Sequence, residues 1–401
     1  MEATMDRIIL QSDWDHVLWE NRGEAWVTYK GSNSPGVHGH INTEGISREG
    51  LPYMLGSNGF SIASVTKKSI TVGYNGAQGT LSRKFVAPQK RFLKIHQKAV
   101  ACLDVTSGGL GVSCDTDHKL RIWQTSDGEV RRELAGHVAD VYTCRFFPSG
   151  IVVLSGGADM LLKIWSAETG KCAVTLTGHT SGILDTAIVD KGRNVVSCGK
   201  DGTAKLWDVG NQSCLTTFNE CNGIVNACSL HITDNSIDLG TPNSPSKPLF
   251  VGEREVSTEG TMLLLACENS TLQGYGLRSR TKIFELDCHG PVNTCAFLTD
   301  VSAVCGTQDG HITIVDLRNV RVPVKEWKES RSAVLSLLPY KQGFFVSTGD
   351  GSCFYVDERL ECLAELTGSD CDPVYRTVCD GTHVYTACRD GAIRKYNLTN
   401  M

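Results

Sequence analysis

A chain of 401 residues has room for two domains or for one large repeat architecture. It is 41% hydrophobic and 21% charged, the balance of a soluble globular protein. A formal net charge of −5 argues against nucleic acid or an anionic membrane as the main partner, and no apolar run approaches the roughly 18 residues of a bilayer span.

The opening residues 1–10 lack the basic stretch and apolar core of a signal peptide, so the chain is expected in the cytoplasm, with the nucleus as a second location. Its 17 cysteines are then expected to be reduced. No two are spaced C-x-x-C, which leaves a zinc site without support, and no metal or cofactor is expected. Most sit in apolar strand patterns, as at Cys144 and Cys295, where a free thiol behaves as a small hydrophobe.

Residues 1–81 read as a small β-rich N-terminal domain. Ser12 to Trp19 has the pattern of a short helix capped by Ser12. Ala25–Tyr29, Phe60–Val65 and Lys68–Gly73 read as strands separated by turns.

Residues 82–401 carry a repeat. Trp123, Trp165 and Trp207 end similar short strands and stand 42 residues apart, as do the pairs Gly136-His137 and Gly178-His179. A period near 42 suits the four-strand blade of a propeller. Three units fix four side chains each: His96, Ser113, Asp117 and Trp123; His137, Ser155, Asp159 and Trp165; His179, Ser197, Asp201 and Trp207. Weaker copies follow around Asn269 and Tyr275, Asp309 and Val315, Asp350 and Val356, and Asp390 and Tyr396, which makes seven units. The x-Asp-Gly turns between them are hairpin signals. The last unit has room for three strands before the chain stops, so the ring needs a fourth from elsewhere. The segment 82–92 is the expected closing strand, with Ser82–Pro88 the best candidate within it.

Ser, His and Asp together also suggest a hydrolase triad. A triad occurs once per active site, whereas this set recurs three times at one period with a Trp that has no part in acyl transfer. The structural reading is therefore preferred. The pattern resembles the WD-repeat family, whose four side chains form a hydrogen-bonded chain inside a blade. The expected fold is all-β: a seven-bladed WD-repeat β-propeller with a small β-rich N-terminal domain.

One repeat is too long. Its surplus, residues 233–260, holds Thr241, Ser244 and several prolines, then Glu253, and reads as a solvated loop. It follows the first strand of its blade, so it should emerge on the face opposite the Gly-His loops.

Beyond the repeat, the stretches 183–197, 144–150, 349–354 and 370–375, with 11–14 and 23–26, resemble the proteasomal ATPase-associated factor family over nearly the whole chain. The resemblance implies a non-enzymatic protein that binds C-terminal domains of the regulatory ATPase subunits. It implies an assembly chaperone of the 19S base that also hinders 19S docking onto the 20S core. The chain alone is expected to be a monomer. The alternative is a substrate receptor of a cullin-type ubiquitin ligase, or a generic WD scaffold. Such receptors carry Trp-Asp-x-Arg at blade ends, and here Asp316-Leu-Arg318 and Trp207-Asp208 are both incomplete.

WD propellers usually bind through the face made by the Gly-His loops and Asp turns. On it the sequence places Asp140, Glu268, Asp370 and Asp372, against Lys200 and Arg389. At the third position of the first strand, where other blades have small residues, stand Asp185 and Arg376. These two are expected at the central channel, because a charge needs water or a partner. The candidate partner-binding set is Asp140, Asp185, Glu268, Asp370, Asp372 and Arg376.

Overall fold

The Trp-bearing segments that mark the repeat are third strands of antiparallel blades. In the second blade Val141–Phe146, Val152–Gly157, Leu162–Ser166 and Cys172–Leu176 lie side by side in that order, with Val153 opposite Trp165 and Ser155 opposite Lys163. The computed structural model describes residues 6–20, 22–31, 35–47, 50–76, 79–240, 254–328, 332–359 and 361–398. Those residues form seven such blades. First strands of successive blades touch, and Val374–Cys379 of the seventh touches Val100–Val105 of the first, which closes the ring.

Burial falls from the axis outward. Every residue of Thr261–Cys267, the second strand of blade four, is buried, whereas every residue of Val130–Glu133, the outermost strand of blade one, is exposed. Apolar layers fill the spaces between blades: Cys102, Val112, Cys114 and Ile122 of blade one pack on Val141, Cys144, Val153 and Trp165 of blade two. Cysteines suit these layers because they are small, and among the described residues Cys172, Cys214 and Cys371 are the exposed ones.

The closing strand differs from the expectation. Lys90–Phe92 supplies the fourth strand of blade seven, antiparallel to Ile393–Asn397, with Phe92 opposite Ile393. Ser82–Pro88 lies elsewhere: the strand Gly79–Val86 runs parallel to Cys362–Leu366, the outer strand of blade six. Pro88 has no N–H to give to a ladder, and the chain crosses from one blade to the next around it, with the Gln89 N–H reaching the Lys395 carbonyl at 2.8 Å.

The N-terminal boundary changes with it. Phe60–Thr66, Ser69–Gly76 and Gly79–Val86 extend blade six into a seven-stranded sheet, so a boundary at 81/82 falls inside a strand. A second sheet, Arg7–Leu10, Glu24–Lys30, Val37–Ile46 and Pro52–Gly56, packs on this extension. Ile8, Trp14, Val27, Ile41, Phe60, Ile70 and Phe85 form the shared core. The N-terminal unit is therefore a sandwich built on blade six, and it covers an edge that would otherwise be open. The helix is one turn, Trp14–Val17, with Asp13 at its N-cap position; the Ser12 hydroxyl donates instead to Asp370 at 3.2 Å. A buried carboxylate, Asp15, ties this unit to the closing strand, meeting Lys68 at 2.8 Å and Arg91 at 3.4 Å.

The described parts of the long segment, 233–240 and 254–260, lie on the face opposite the Gly-His loops. Its first part binds blade five, through Asp234 N–H to the Asp300 carbonyl at 3.2 Å. Its last part binds blade three, through Val256 N–H to Asn194 at 2.9 Å and Ser257 to Asp190 at 3.0 Å. Glu255 is buried and paired with Arg280 at 2.7 Å. Thr241, Ser244 and Glu253 lie outside the described residues.

Candidate functional site

The repeated polar residues come together inside the blades. In blade two the Trp165 indole donates to Ser155 Oγ at 2.8 Å, Ser155 meets His137 Nε2 at 2.7 Å, and His137 Nδ1 meets Asp159 at 2.8 Å. Blade three repeats this with Trp207, Ser197, His179 and Asp201 at 2.8, 2.7 and 2.7 Å. The direction of the chain follows from chemistry. An indole N–H can only donate, so the serine oxygen accepts it and the serine O–H donates to His Nε2, which leaves Nδ1–H to donate to the aspartate. Burial holds His137 and His179 below the usual histidine pKa, against the pull of their aspartates, so both rings are neutral. The glycine before each histidine lets the loop pass close under the indole: a Cβ on Gly136, at φ +154°, would sit 3.0 Å from the Trp165 ring.

Blade one corrects one residue. His96 meets Ser113 at 2.7 Å, and Trp123 donates to Ser113 at 2.9 Å, but the carboxylate on His96 is Asp115, at 3.0 Å, and Asp117 is exposed. Blades two and three have Gly157 and Gly199 where blade one has Asp115. A side chain present at that position is nearer to the histidine and takes its place; it also accepts the Asp117 N–H at 3.1 Å. These serines are buried and engaged on both sides, so none can act as a nucleophile on an external substrate.

The weaker blades use other partners. Tyr275 donates to Gln273 at 2.9 Å in blade four, and Asp309 holds Thr307 and His311 in blade five. In blade six Thr348 binds Asp350 at 2.7 Å, and in blade seven Arg394 pairs with Asp390.

The central channel is a polar cavity of about 140 Å³, lined by Cys102, Thr143, Asp185, Ala227, Thr294 and Arg376 among others. Asp185 and Arg376 thus meet the axis from different blades. Asp185 is not presented to a partner. It is buried, lies 3.1 Å from Arg145, and accepts the Cys228 N–H at 3.2 Å. Burial alone would raise its pKa, but Arg145 and then Arg376 outweigh that and hold it below the usual carboxylate value. Asp104 is the contrasting carboxylate. It accepts the N–H groups of Phe146 at 2.7 Å and Val105 at 2.9 Å, yet burial dominates and raises its pKa. The sequence reading missed Asp104 and Arg145. Their signal was a charge at the fifth position of an otherwise apolar first strand.

On the rim the expected acids are spread around the ring. Asp140 is 45% exposed and sits 3.0 Å from His118, and Glu268 is exposed. Asp372 is paired with Arg389 at 2.8 Å, while Lys200 covers the Tyr142 ring at 5.1 Å. Asp370 is exposed but already holds Ser12 of the N-terminal unit. Glu268 and Asp370 are thus the exposed carboxylates of the set, while Asp140 and Asp372 are partly exposed and each already has a partner. Arg318, from the incomplete receptor motif, is folded back on Asp316 at 2.6 Å.

Seven blades, buried His-Ser-Asp-Trp chains and a polar axial channel define a WD-repeat β-propeller. The WD domain, G-beta repeat model matches residues 88–124, 128–166 and 170–208. Over its length the chain is 52% identical to proteasomal ATPase-associated factor 1 of Gallus gallus and 51% identical to that of Homo sapiens, each across 98% of both chains. It is 38% identical to the probable counterpart of Dictyostelium discoideum, across 97% of this chain and 95% of the other. The chain belongs to the proteasomal ATPase-associated factor 1 family.

Proposed function

We propose that this protein is a non-enzymatic binding partner of the proteasome's regulatory ATPases. It engages their C-terminal domains, assists assembly of the 19S base and restrains 19S–20S association, acting in the cytoplasm as a monomer until it binds. The carrying observation is the full-length likeness to relatives named for association with those ATPases. Two exposed rim carboxylates, Glu268 and Asp370, and the partly exposed Asp140 support the Gly-His face as the surface used.

The test is binding of the full chain to purified ATPase C-terminal domains at low and moderate salt. Charge reversals Asp140→Lys and Glu268→Lys should weaken binding, by about 0–1 kcal/mol for a rim charge and about 2–5 kcal/mol for one desolvated in the complex. Glu168→Lys, in the third-to-fourth strand turn of blade two on the opposite face, should have no effect. Loss of binding with Glu168→Lys alone moves the site to the other face. No binding to any ATPase domain refutes the proposal.

A further inference from the structure

The axial cavity is built at the Gly-His end of the ring. The first strands start there, so their second and third residues surround its upper part: Tyr142, Asp185, Asn226, Thr294, Tyr375 and Arg376 come from five blades. Two opposite charges reach it, and one of them is spent. Asp185 is paired with Arg145 at 3.1 Å and accepts the Cys228 N–H at 3.2 Å. Arg376 is half-buried and, among the described residues, makes no side-chain hydrogen bond and no ion pair. Burial is the largest influence on the pKa of Asp185 and of Asp104, and at both the Arg376 charge works against it, so the guanidinium points to the axis.

The rest of the cavity lining offers donors and no further carboxylate. The hydroxyls of Thr294, Tyr142 and Tyr375 make no hydrogen bond among the described residues. Lys200 lies over the Tyr142 ring at 5.1 Å and makes no ion pair among those residues, which puts a second unmatched cation near the mouth. A guanidinium stays charged and carries five N–H donors, so inside a polar cavity it calls for an acceptor. At roughly 30 Å³ for a water-sized group, a cavity of about 140 Å³ holds about four such groups.

We infer that the axial cavity is a binding site for one carboxylate, held by the Arg376 guanidinium with the Thr294 hydroxyl as a further donor. A carboxylate is planar and accepts two parallel N–H bonds from the guanidinium fork. Its single negative charge matches the single unspent positive charge in the cavity. A phosphate, at about −1.5 to −2, would exceed that charge and be repelled by Asp185. The carboxylate can come from a free small acid, or from an acidic side chain or chain end of another protein, because the cavity lies at the Gly-His end of the axis. The inference goes beyond the ATPase reading, and acetate binding needs no ATPase domain, so either can fail without the other.

The probe is acetate, followed by saturation-transfer NMR on its methyl protons with the full chain at constant ionic strength. Two blocked pentapeptides, Gly-Gly-Glu-Gly-Gly and Gly-Gly-Gln-Gly-Gly, serve as competitors. The expected result is saturable acetate binding with a dissociation constant on the order of 1 mM, as suits so small a ligand. Arg376→Met should weaken it about tenfold or more and Thr294→Val about threefold, both at an unchanged melting temperature. Arg318→Gln, in blade five and folded back on Asp316, should change nothing. Should Arg376→Met not fold, Arg376→Lys decides, because it keeps the charge and loses the fork: weaker binding supports the site and wild-type affinity overturns it. Displacement of acetate by the Glu pentapeptide and not by the Gln one makes a protein carboxylate the occupant. Acetate binding that neither peptide displaces makes it a free small acid. No acetate binding, wild-type affinity in a folded Arg376→Met, equal displacement by both peptides, or tighter binding of inorganic phosphate than of acetate overturns the inference.

Discussion

The blade-two chain can be taken apart one group at a time. Trp165 is fully buried in the layer between blades one and two, so Trp165→Ala removes a whole aromatic from a filled space and should cost about 3–5 kcal/mol. Ser155→Ala is smaller in volume but removes the hub. It orphans the Trp165 N–H and His137 Nε2 together, at about 1–3 kcal/mol for each unsatisfied buried group. Trp165→Phe keeps most of the apolar bulk and loses only the donor, at about 0.5–1.5 kcal/mol plus a small cavity. The double variant Ser155→Ala, Trp165→Phe should cost less than the two single changes added, because the phenyl ring has no N–H to orphan. A coupling of about 1 kcal/mol is expected between groups in one hydrogen-bonded chain. Urea unfolding followed by circular dichroism, with the slope m checked for constancy, reads all four proteins. Additivity within about 0.3 kcal/mol would mean that Ser155 and Trp165 merely sit side by side, and the hydrogen-bonded chain would be refuted.

In blade one, Asp115→Asn should destabilise the protein whereas Asp117→Asn should stay within about 0.5 kcal/mol of wild type; the reverse order in urea would restore Asp117 to the chain. Deleting residues 1–88 keeps the closing strand Lys90–Phe92 and should give a monomer that melts at lower temperature, because the outer edge of blade six is uncovered. Deleting 1–92 opens the ring and should give aggregates, and identical gel-filtration profiles would show that this strand does not close it. His96, His137 and His179 each have a pKa lowered by burial, so the unfolded chain binds protons first as pH falls. Stability present above the usual value of about 6.5 should therefore be lost as pH drops through the lower folded values. A melting temperature flat from pH 7 to pH 5 would contradict three buried neutral rings.

The amino-acid sequence by itself determined the repeat, the blade count and two of the three polar chains. It could do so because a blade is a local unit: its strands follow one another, its turns need x-Asp-Gly, and its hydrogen-bonded groups recur at fixed spacing. Family membership was legible for the same reason, since whole stretches such as 183–197 match without reference to contacts. Asp115 was missed because a spacing rule cannot tell which of two nearby carboxylates is closer to a ring. The parallel pairing of Gly79–Val86 with Cys362–Leu366 joins residues 280 positions apart, such as Lys84 and Ala364, and no pattern inside either strand records it. The same holds for Trp14 bonding Thr367 and for Asp185 neutralised by Arg145. Which charges face water and which are consumed inside the protein depends on what the ring brings opposite them, and only the tertiary structure decides that.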